Sequence, residues 1–304
     1  MEAHDDSAVI RVRVPAKLNV ALHVGPLDDN GYHPLNTVFQ AVSLYDEITA
    51  TALPDGDVQV RTADAEWLDG PDHLAVRAAR LLQQRHGITD GCRLTVRKTI
   101  PVAGGMAGGS ADAAGALVAC AKLWGLDPDP EDLTRLAAEL GSDVPFSLLG
   151  GVAIGTGRGD QLVPLLVRGT LWWVLVFDEA GLSTPQVYRR FDELREGGLG
   201  PRELNEIDAE LLRALAAGDA EALAPLLVND LARAAVDLHP PLARTLEAGR
   251  EAGALAGLVS GSGPTCAFLA RDESDAIDIS NRLAATGRVV RRVAGPVPGA
   301  RPLS

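Results

Sequence analysis

Five glycines fall within fifteen residues of this chain, in Pro101-Val102-Ala103-Gly104-Gly105-Met106-Ala107-Gly108-Gly109-Ser110-Ala111-Asp112-Ala113-Ala114-Gly115. Residues 93–98, just before, read as a strand, and the Ala-rich residues 110–123 read as a helix. A strand that enters a helix through glycines can turn successive peptide N–H groups toward one point, with no side chain in the way. The helix brings its N-terminal amides and partial positive charge to the same point. The result is an anion site for which a polyphosphate is the natural guest. Ser110 adds a hydroxyl within reach of a phosphate oxygen or a bound Mg²⁺. Read alone, the segment also fits a glycine-rich turn capped by Ser110. A Walker A loop is excluded because no lysine follows Gly109, and neither this loop nor Gly155-Thr-Gly157-Arg-Gly159 supplies the dinucleotide pattern G-x-G-x-x-G. The His-Arg-Asp and Asp-Phe-Gly signatures of protein kinases are missing.

The first third of the chain is mostly β. Residues 9–14 alternate as a strand, 18–24 form a second extended piece, and 37–51 and 58–62 are further strands. Asp28-Asp29-Asn30-Gly31 is a turn, with Asn-Gly suited to positive φ. Residues 73–84 form an amphipathic helix closed by Gly87. After the glycine-rich loop, 131–140 is helical with Gly141 as its C-cap, and 152–154 and 171–177 are strands. Helices at 203–216, 220–227, 241–253 and 273–286 then alternate with strands at 255–260 and 265–270. These elements and the 304 residues predict an α+β chain of about two domains, with a boundary near 150–170. The proline-bearing tail 295–304 is expected to be loose.

A formal net charge of −13 argues against a surface that gathers nucleic-acid phosphates. Arg288, Arg291 and Arg292 make only a short basic edge. Three widely spaced cysteines without a CxxC fit reduced thiols in the cytoplasm. No secretory signal is visible in the acidic N-terminus, and the strongest apolar run, 171–177, is too short to cross a bilayer. Lysine is scarce: Lys17, Lys98 and Lys122 are the only three, so the position of each carries weight.

Lys17 lies in Pro15-Ala16-Lys17-Leu18-Asn19, where the period of 2 puts Lys17 and Asn19 on one face of a strand. By local pattern it also fits an edge-strand lysine. Asp143, in Gly141-Ser142-Asp143-Val144-Pro145-Phe146, equally fits a helix N-cap or turn. Ser260-Gly261-Ser262-Gly263-Pro264-Thr265 is a second small-residue loop, read alone as a flexible tight turn. Taken together and in this order, these segments and the glycine-rich loop resemble the GHMP kinase superfamily, which groups galactokinase, homoserine, mevalonate and phosphomevalonate kinases. The resemblance covers 15–267. Gly31-Tyr32-His33, with Thr37-Val38-Phe39-Gln40 after it, resembles the branch whose small-molecule substrate carries a cytidine diphosphate group.

That resemblance implies a two-domain α+β fold. Residues 1–165 would form an ATP-binding domain like the second domain of ribosomal protein S5, and 166–304 a ferredoxin-like domain. It implies transfer of the γ-phosphoryl of ATP, with Mg²⁺, to the tertiary 2-hydroxyl of a methylerythritol unit. Pro101, Val102, Ala103, Gly104, Gly105, Met106, Ala107, Gly108, Gly109, Ser110 and Ala111 would bind ATP, and no protein ligand of Mg²⁺ stands out. Lys17 and Asp143 match the catalytic lysine and aspartate, with Asp143 as candidate general base. Asn19 would hydrogen-bond the substrate, Tyr32 and Tyr188 would flank the cytosine, and His33 would offer edge groups to it. Phe39 fits the pocket or the core equally. A cytoplasmic monomer or weak homodimer is expected, bound to neither nucleic acid nor membrane.

Overall fold

The computed structural model describes residues 8–29, 31–178, 180–199, 201 and 203–303. Asn30 of the expected turn, most of the acidic N-terminus and Ser304 of the tail lie outside the described residues. The strands are β1 (Val9–Val24), β2 (Leu35–Leu53), β3 (Val58–Ala63), β4 (Gly91–Arg97), β5 (Val152–Thr156), β6 (Gln161–Leu165), β7 (Leu171–Phe177), β8 (Val228–Asn229), β9 (Ala256–Val259), β10 (Cys266–Ala270), β11 (Val289–Gly295) and β12 (Arg301–Pro302). The larger sheet has the order β12-β1-β2-β4-β3. There β5 pairs with the start of β2 and carries β6, while β8 runs parallel to β1. The smaller sheet is antiparallel, in the order β11-β7-β10-β9.

The expected strands 9–14 and 18–24 are one strand, so Lys17 sits within β1. Pro15 has no N–H for the ladder, and β1 accommodates it at a register shift against β2 between Pro15 and Ala16. A second shift falls between Asn19 and Ala21. Irregularities of this kind bend a strand and re-aim its side chains without ending the pairing, and here they bracket Lys17 and Asn19.

Helices α1 (Leu74–His86), α2 (Gly108–Leu123) and α4 (Val144–Leu149) pack with the larger sheet, and α3 (Pro130–Leu140) packs on these three helices. α2 is buried on nearly every face, from Ala111 to Ala121. Only small side chains allow that. A Cβ on Gly115 would lie 2.5 Å from Ile48 Cδ1 and 2.8 Å from Val14 Cγ2. The alanine and glycine in this segment therefore seat α2 directly on β1 and β2.

Helices α5 (Thr184–Glu196), α6 (Ala209–Ala217), α7 (Ala220–Leu223), α8 (Ala232–Leu238), α9 (Pro241–Glu251) and α10 (Glu273–Ala284) follow. Two expected helices are shorter than their sequence pattern. The segment at 203–216 becomes helical only at Ala209, where Asp208 accepts a hydrogen bond from Glu210 N at 2.7 Å. The segment at 220–227 gives way to a 3₁₀ turn at Ala224–Leu226, which holds Pro225. One buried cluster joins the sheets, from Val14 and Leu117 to Trp173 and Leu215, and Trp173 Nε1 donates to Gln40 Oε1 at 2.8 Å across the junction.

The tail is not loose. Arg301 and Pro302 pair with Arg13 and Val12 of β1, and Ala300 N donates to Ser147 O at 2.9 Å. Its prolines set the path of the segment and leave its edge pairing intact.

Candidate active site

A cleft of about 900 Å³ opens where the two sheets meet. Its floor is the loop between β4 and α2. Ala103 (φ 53°), Gly105 (φ 72°) and Ala107 (φ 60°) all take the left-handed conformation. Gly105 is obligatory, because a Cβ there would lie 2.1 Å from Ser260 O. Loop carbonyls are turned outward and tied down: Gly105 O accepts from Ser260 Oγ at 3.0 Å, and Met106 O from Lys17 N at 3.4 Å. The first-turn N–H groups of α2, unpaired within any helix, remain at the cleft with Gly108 and Gly109.

Lys17 and Asn19, only 7% and 2% exposed, project from β1 into this cleft. Lys17 Nζ donates to Asn19 Oδ1 at 2.6 Å and stands 3.9 Å from Asp143 Oδ2. The Phe39 ring, 5.4 Å from Nζ, backs the ammonium. Asn19 Nδ2 donates to Thr37 Oγ1 at 2.8 Å, and that hydroxyl donates to Ala21 O at 2.7 Å. This relay fixes the Asn19 amide and so the lysine. Asp143 occupies the N-cap position of α4, yet its side chain makes no capping bond. A local reading as a structural cap fails for that reason: the carboxylate is left free to face Lys17.

The other end of the cleft is aromatic. Tyr32 is 55% exposed, with the Arg158 guanidinium 5.5 Å from its ring centroid. His33 and Tyr188 have ring centroids 5.0 Å apart. Burial, reinforced by the charge of Asp143, pushes the Tyr188 phenol well above its ordinary pKa. The sequence-based expectation is that His33 offers edge groups to a base. Its Nδ1 is 2.9 Å from Gly25 O and its Nε2 is 3.3 Å from Asp192 Oδ2, so both ring nitrogens face protein acceptors. What His33 leaves unpaired among the described residues is its peptide N–H and C=O. Arg195 braces the same corner, donating to Gly25 O and Asp192 Oδ1, each at 3.0 Å.

The sequence-derived residues do not all converge. Pro101, Ala103, Gly104, Gly105, Ala107, Gly108 and Gly109 line the cleft together with Lys17, Asn19, Tyr32, His33, Asp143 and Tyr188. Met106 and Ala111 belong to the core, and Ser110 is half-buried outside the cleft lining. Val102 faces a second cleft of about 420 Å³ on the far side of the loop, with Trp67, His73, Lys98, Gly109 and Asp112.

Sequence reasoning missed a buried charge cluster beneath that loop. Lys98 Nζ donates to Asp46 Oδ2 at 2.5 Å, Asp112 Oδ2 at 2.8 Å and Gly108 O at 3.1 Å. Asp46 Oδ1 accepts from Thr99 N and Ile100 N at 2.6 and 2.9 Å. Burial opposes the Lys98 charge, but Asp112 and Asp46 outweigh it and hold the ammonium above its ordinary value. Burial and the neighbouring Asp46 carboxylate push Asp112 up to about 7 against the pull of Lys98. Burial and then Lys98 lower the pKa of His73, whose Nε2 is 4.0 Å from Asp112 Oδ2. The scarcity of lysine was the one sequence signal for this cluster.

Residues 73–151 match the family model for the GHMP kinases N terminal domain, and 211–289 match the GHMP kinases C terminal model. A 4-diphosphocytidyl-2-C-methyl-D-erythritol kinase of Nocardioides sp. is 52% identical over 300 residues, covering 96% of this chain and 99% of that protein. The crystal structure of a 4-(cytidine 5'-diphospho)-2C-methyl-D-erythritol kinase superposes with a TM-score of 0.78 at 32% identity, over 93% of this chain and 98% of the other. A homoserine kinase from Cytophaga hutchinsonii shares the fold, with a TM-score of 0.76 at 19% identity over 100% and 99% of the two chains.

Proposed function

The chain belongs to the GHMP kinase family, and from that premise we propose that it transfers the γ-phosphoryl group of ATP to the 2-hydroxyl of 4-diphosphocytidyl-2-C-methyl-D-erythritol. The observation that carries the reading is one continuous cleft joining three parts: an anion-binding loop, a lysine–carboxylate pair and an aromatic wall. Each part suits one portion of the reacting complex: polyphosphate, acceptor alcohol and cytosine.

Phosphoryl transfer asks a protein mainly for positioning and charge stabilisation. The first-turn amides of α2 hold the β- and γ-phosphates. The nucleoside end of ATP passes over the loop into the second cleft, where Trp67, 75% exposed, offers a flat surface to the base. Tyr32 and Tyr188 flank the cytosine, and the free peptide N–H and C=O of His33 read its edge. The 2-hydroxyl lies between Lys17 and Asp143. Asp143 accepts the hydroxyl proton as the oxygen attacks the γ-phosphorus, and the bond to the β–γ bridging oxygen breaks to release ADP. Lys17 stabilises the charge building on the transferred group. Asn19 holds the lysine in line and touches the substrate.

Among the described residues no three His, Cys, Asp or Glu side chains come together to hold a metal ion. Mg²⁺ bound with ATP would supply charge neutralisation at the phosphates. We assign residues 1–165 to an ATP-binding domain and 166–304 to a second domain that closes the cleft, with β8 and β12 of the latter crossing to complete the sheet of the former. The enzyme works in the cytoplasm as a monomer or weak dimer. Among the described residues no helix is long and apolar enough to cross a membrane.

The test is ADP release from ATP, Mg²⁺ and the cytidine substrate, with homoserine and mevalonate as alternative acceptors. Release that requires the cytidine substrate supports the reading. Release with either alternative acceptor refutes the assignment of the aromatic wall.

A further inference from the structure

Asn229, in the two-residue strand β8, stands behind the cleft wall and is half-buried. Its side-chain amide is fully engaged. Nδ2 donates to Val259 O and to Gly261 O, both at 2.7 Å, and Oδ1 accepts from Leu231 N at 2.9 Å. Gly261 and Ser262 are the two central residues of a tight turn closed by Gly263 N donating to Ser260 O at 2.8 Å, and both line the cleft. A Cβ on Gly261 would lie 2.9 Å from Gly105 O and 3.4 Å from Lys17 Nζ. The turn therefore touches both the phosphate loop and the lysine.

A trans peptide points its C=O and N–H in opposite directions. Asn229 takes the Gly261 carbonyl on the outer side of the turn, which sends the Ser262 N–H toward the cleft. That N–H has no hydrogen-bond partner among the described residues. With glycine at 261 the peptide has little steric barrier to rotation. Turned over, it would present its carbonyl oxygen to the phosphates and repel them. Two amide hydrogens aimed at neighbouring carbonyls hold it the other way.

We infer that Asn229 is a positioning residue that locks the Gly261–Ser262 peptide with its N–H directed at the transferring phosphoryl group. The inference rests on the reading that the terminal phosphate of ATP lies beside Lys17. A donor fixed at that point acts on charge that grows in the transition state, so its loss falls on kcat more than on KM.

The experiment compares wild type with Asn229→Ala, Asn229→Ser and Asn229→Asp in steady-state kinetics and in binding of ADP with and without fluoroaluminate. Asn229→Ala is expected to lose about 10²-fold in kcat and a similar factor in affinity for the fluoroaluminate complex. ADP affinity and the KM of the cytidine substrate should stay within about threefold. Asn229→Ser, with one donor, should fall between. Asn229→Asp should match Asn229→Ala at pH 8. Its kcat relative to Asn229→Ala should rise toward pH 5, because a protonated carboxyl regains one donor. A purely structural role would move kcat, KM and melting temperature together and show no such pH signature, which would overturn the proposal. So would a folded Asn229→Ala with near-normal kcat, or failure of all three variants to fold. Lys17→Met is run in parallel: an active Lys17→Met sinks the reading of the site, whereas an inactive one beside an active Asn229→Ala sinks only the role of Asn229.

Discussion

Lys17 Nζ and Asp143 Oδ2 face each other across 3.9 Å, about 1 Å beyond a charge-assisted hydrogen bond. The ammonium spends its short bond on Asn19 instead, at 2.6 Å. A hydroxyl oxygen can therefore bridge lysine and carboxylate without displacing either from its other supports.

Asp143→Asn should keep the shape of this gap and lose the proton acceptor. The expected result is a fall in kcat of about 10²–10⁴-fold, with ATP affinity by calorimetry nearly unchanged. Activity within tenfold of wild type would remove Asp143 from the proton transfer.

Asp192→Ala removes one of the two groups that hold the His33 ring. Asp192 Oδ2 lies 3.3 Å from His33 Nε2, so without it the corner loosens and the KM of the cytidine substrate should rise severalfold. Release of that corner leaves the reacting groups in place, and kcat should change little. An unchanged KM would show that the corner does not position the base.

Gly105→Ala forces a Cβ to within 2.1 Å of Ser260 O, at φ 72°. Overpacking of this kind costs about 1–3 kcal/mol, and the loop must move off the 260–263 turn to relieve it. Both a lower melting temperature and an ATP KM raised at least tenfold are expected. A variant with normal ATP KM would separate the loop from nucleotide binding.

Trp67 should report on the nucleotide. Stacking of a base on an aromatic ring contributes about 1–3 kcal/mol, so Trp67→Ala should weaken ADP binding by roughly tenfold or more. A fluorescence change is expected of wild type on ADP addition and should vanish in Trp67→Phe. Its persistence there would place the base elsewhere.

Asp112 gives a pH dependence of stability with a definite sign. Its folded-state pKa of about 7 lies above its ordinary 3.8, so between these values the folded state binds the extra proton. The contribution is fully present below 3.8 and is lost as pH rises to about 7, at up to about 1.4 kcal/mol per pH unit. Asp112→Asn removes this slope. Thermal melts at pH 4.5 and 7.5 should show the melting temperature of the variant improving relative to wild type at the higher pH. A pH-independent difference would mean that Asp112 is already ionised at pH 4.5.

Much of this site was legible because its logic is local. A period of 2 put Lys17 and Asn19 on one face, and glycines before an alanine helix marked the loop that floors the cleft. Asp143 was visible as a candidate and ambiguous as a cap, and the missing capping bond removes the second of these. Lys98, Asp46 and Asp112 come from a strand end, a second strand and a helix, and no spacing rule joins them. Asn229 was equally silent, since its three bonds go to backbone atoms that any sequence would supply. The surroundings of the His33 ring were silent too, since one of its two nitrogens faces Asp192, which is remote in sequence.

The pairing of β12 with β1 has a consequence for synthesis. Val12 and Arg13 wait for Arg301 and Pro302, so that edge of the first sheet stays open while nearly all of the chain between them is made. At about 5–20 residues per second the delay is on the order of tens of seconds. During that time a nascent strand carrying the lysine of the site offers unpaired backbone groups to any passing chain, which makes this edge the point where a holding chaperone would act.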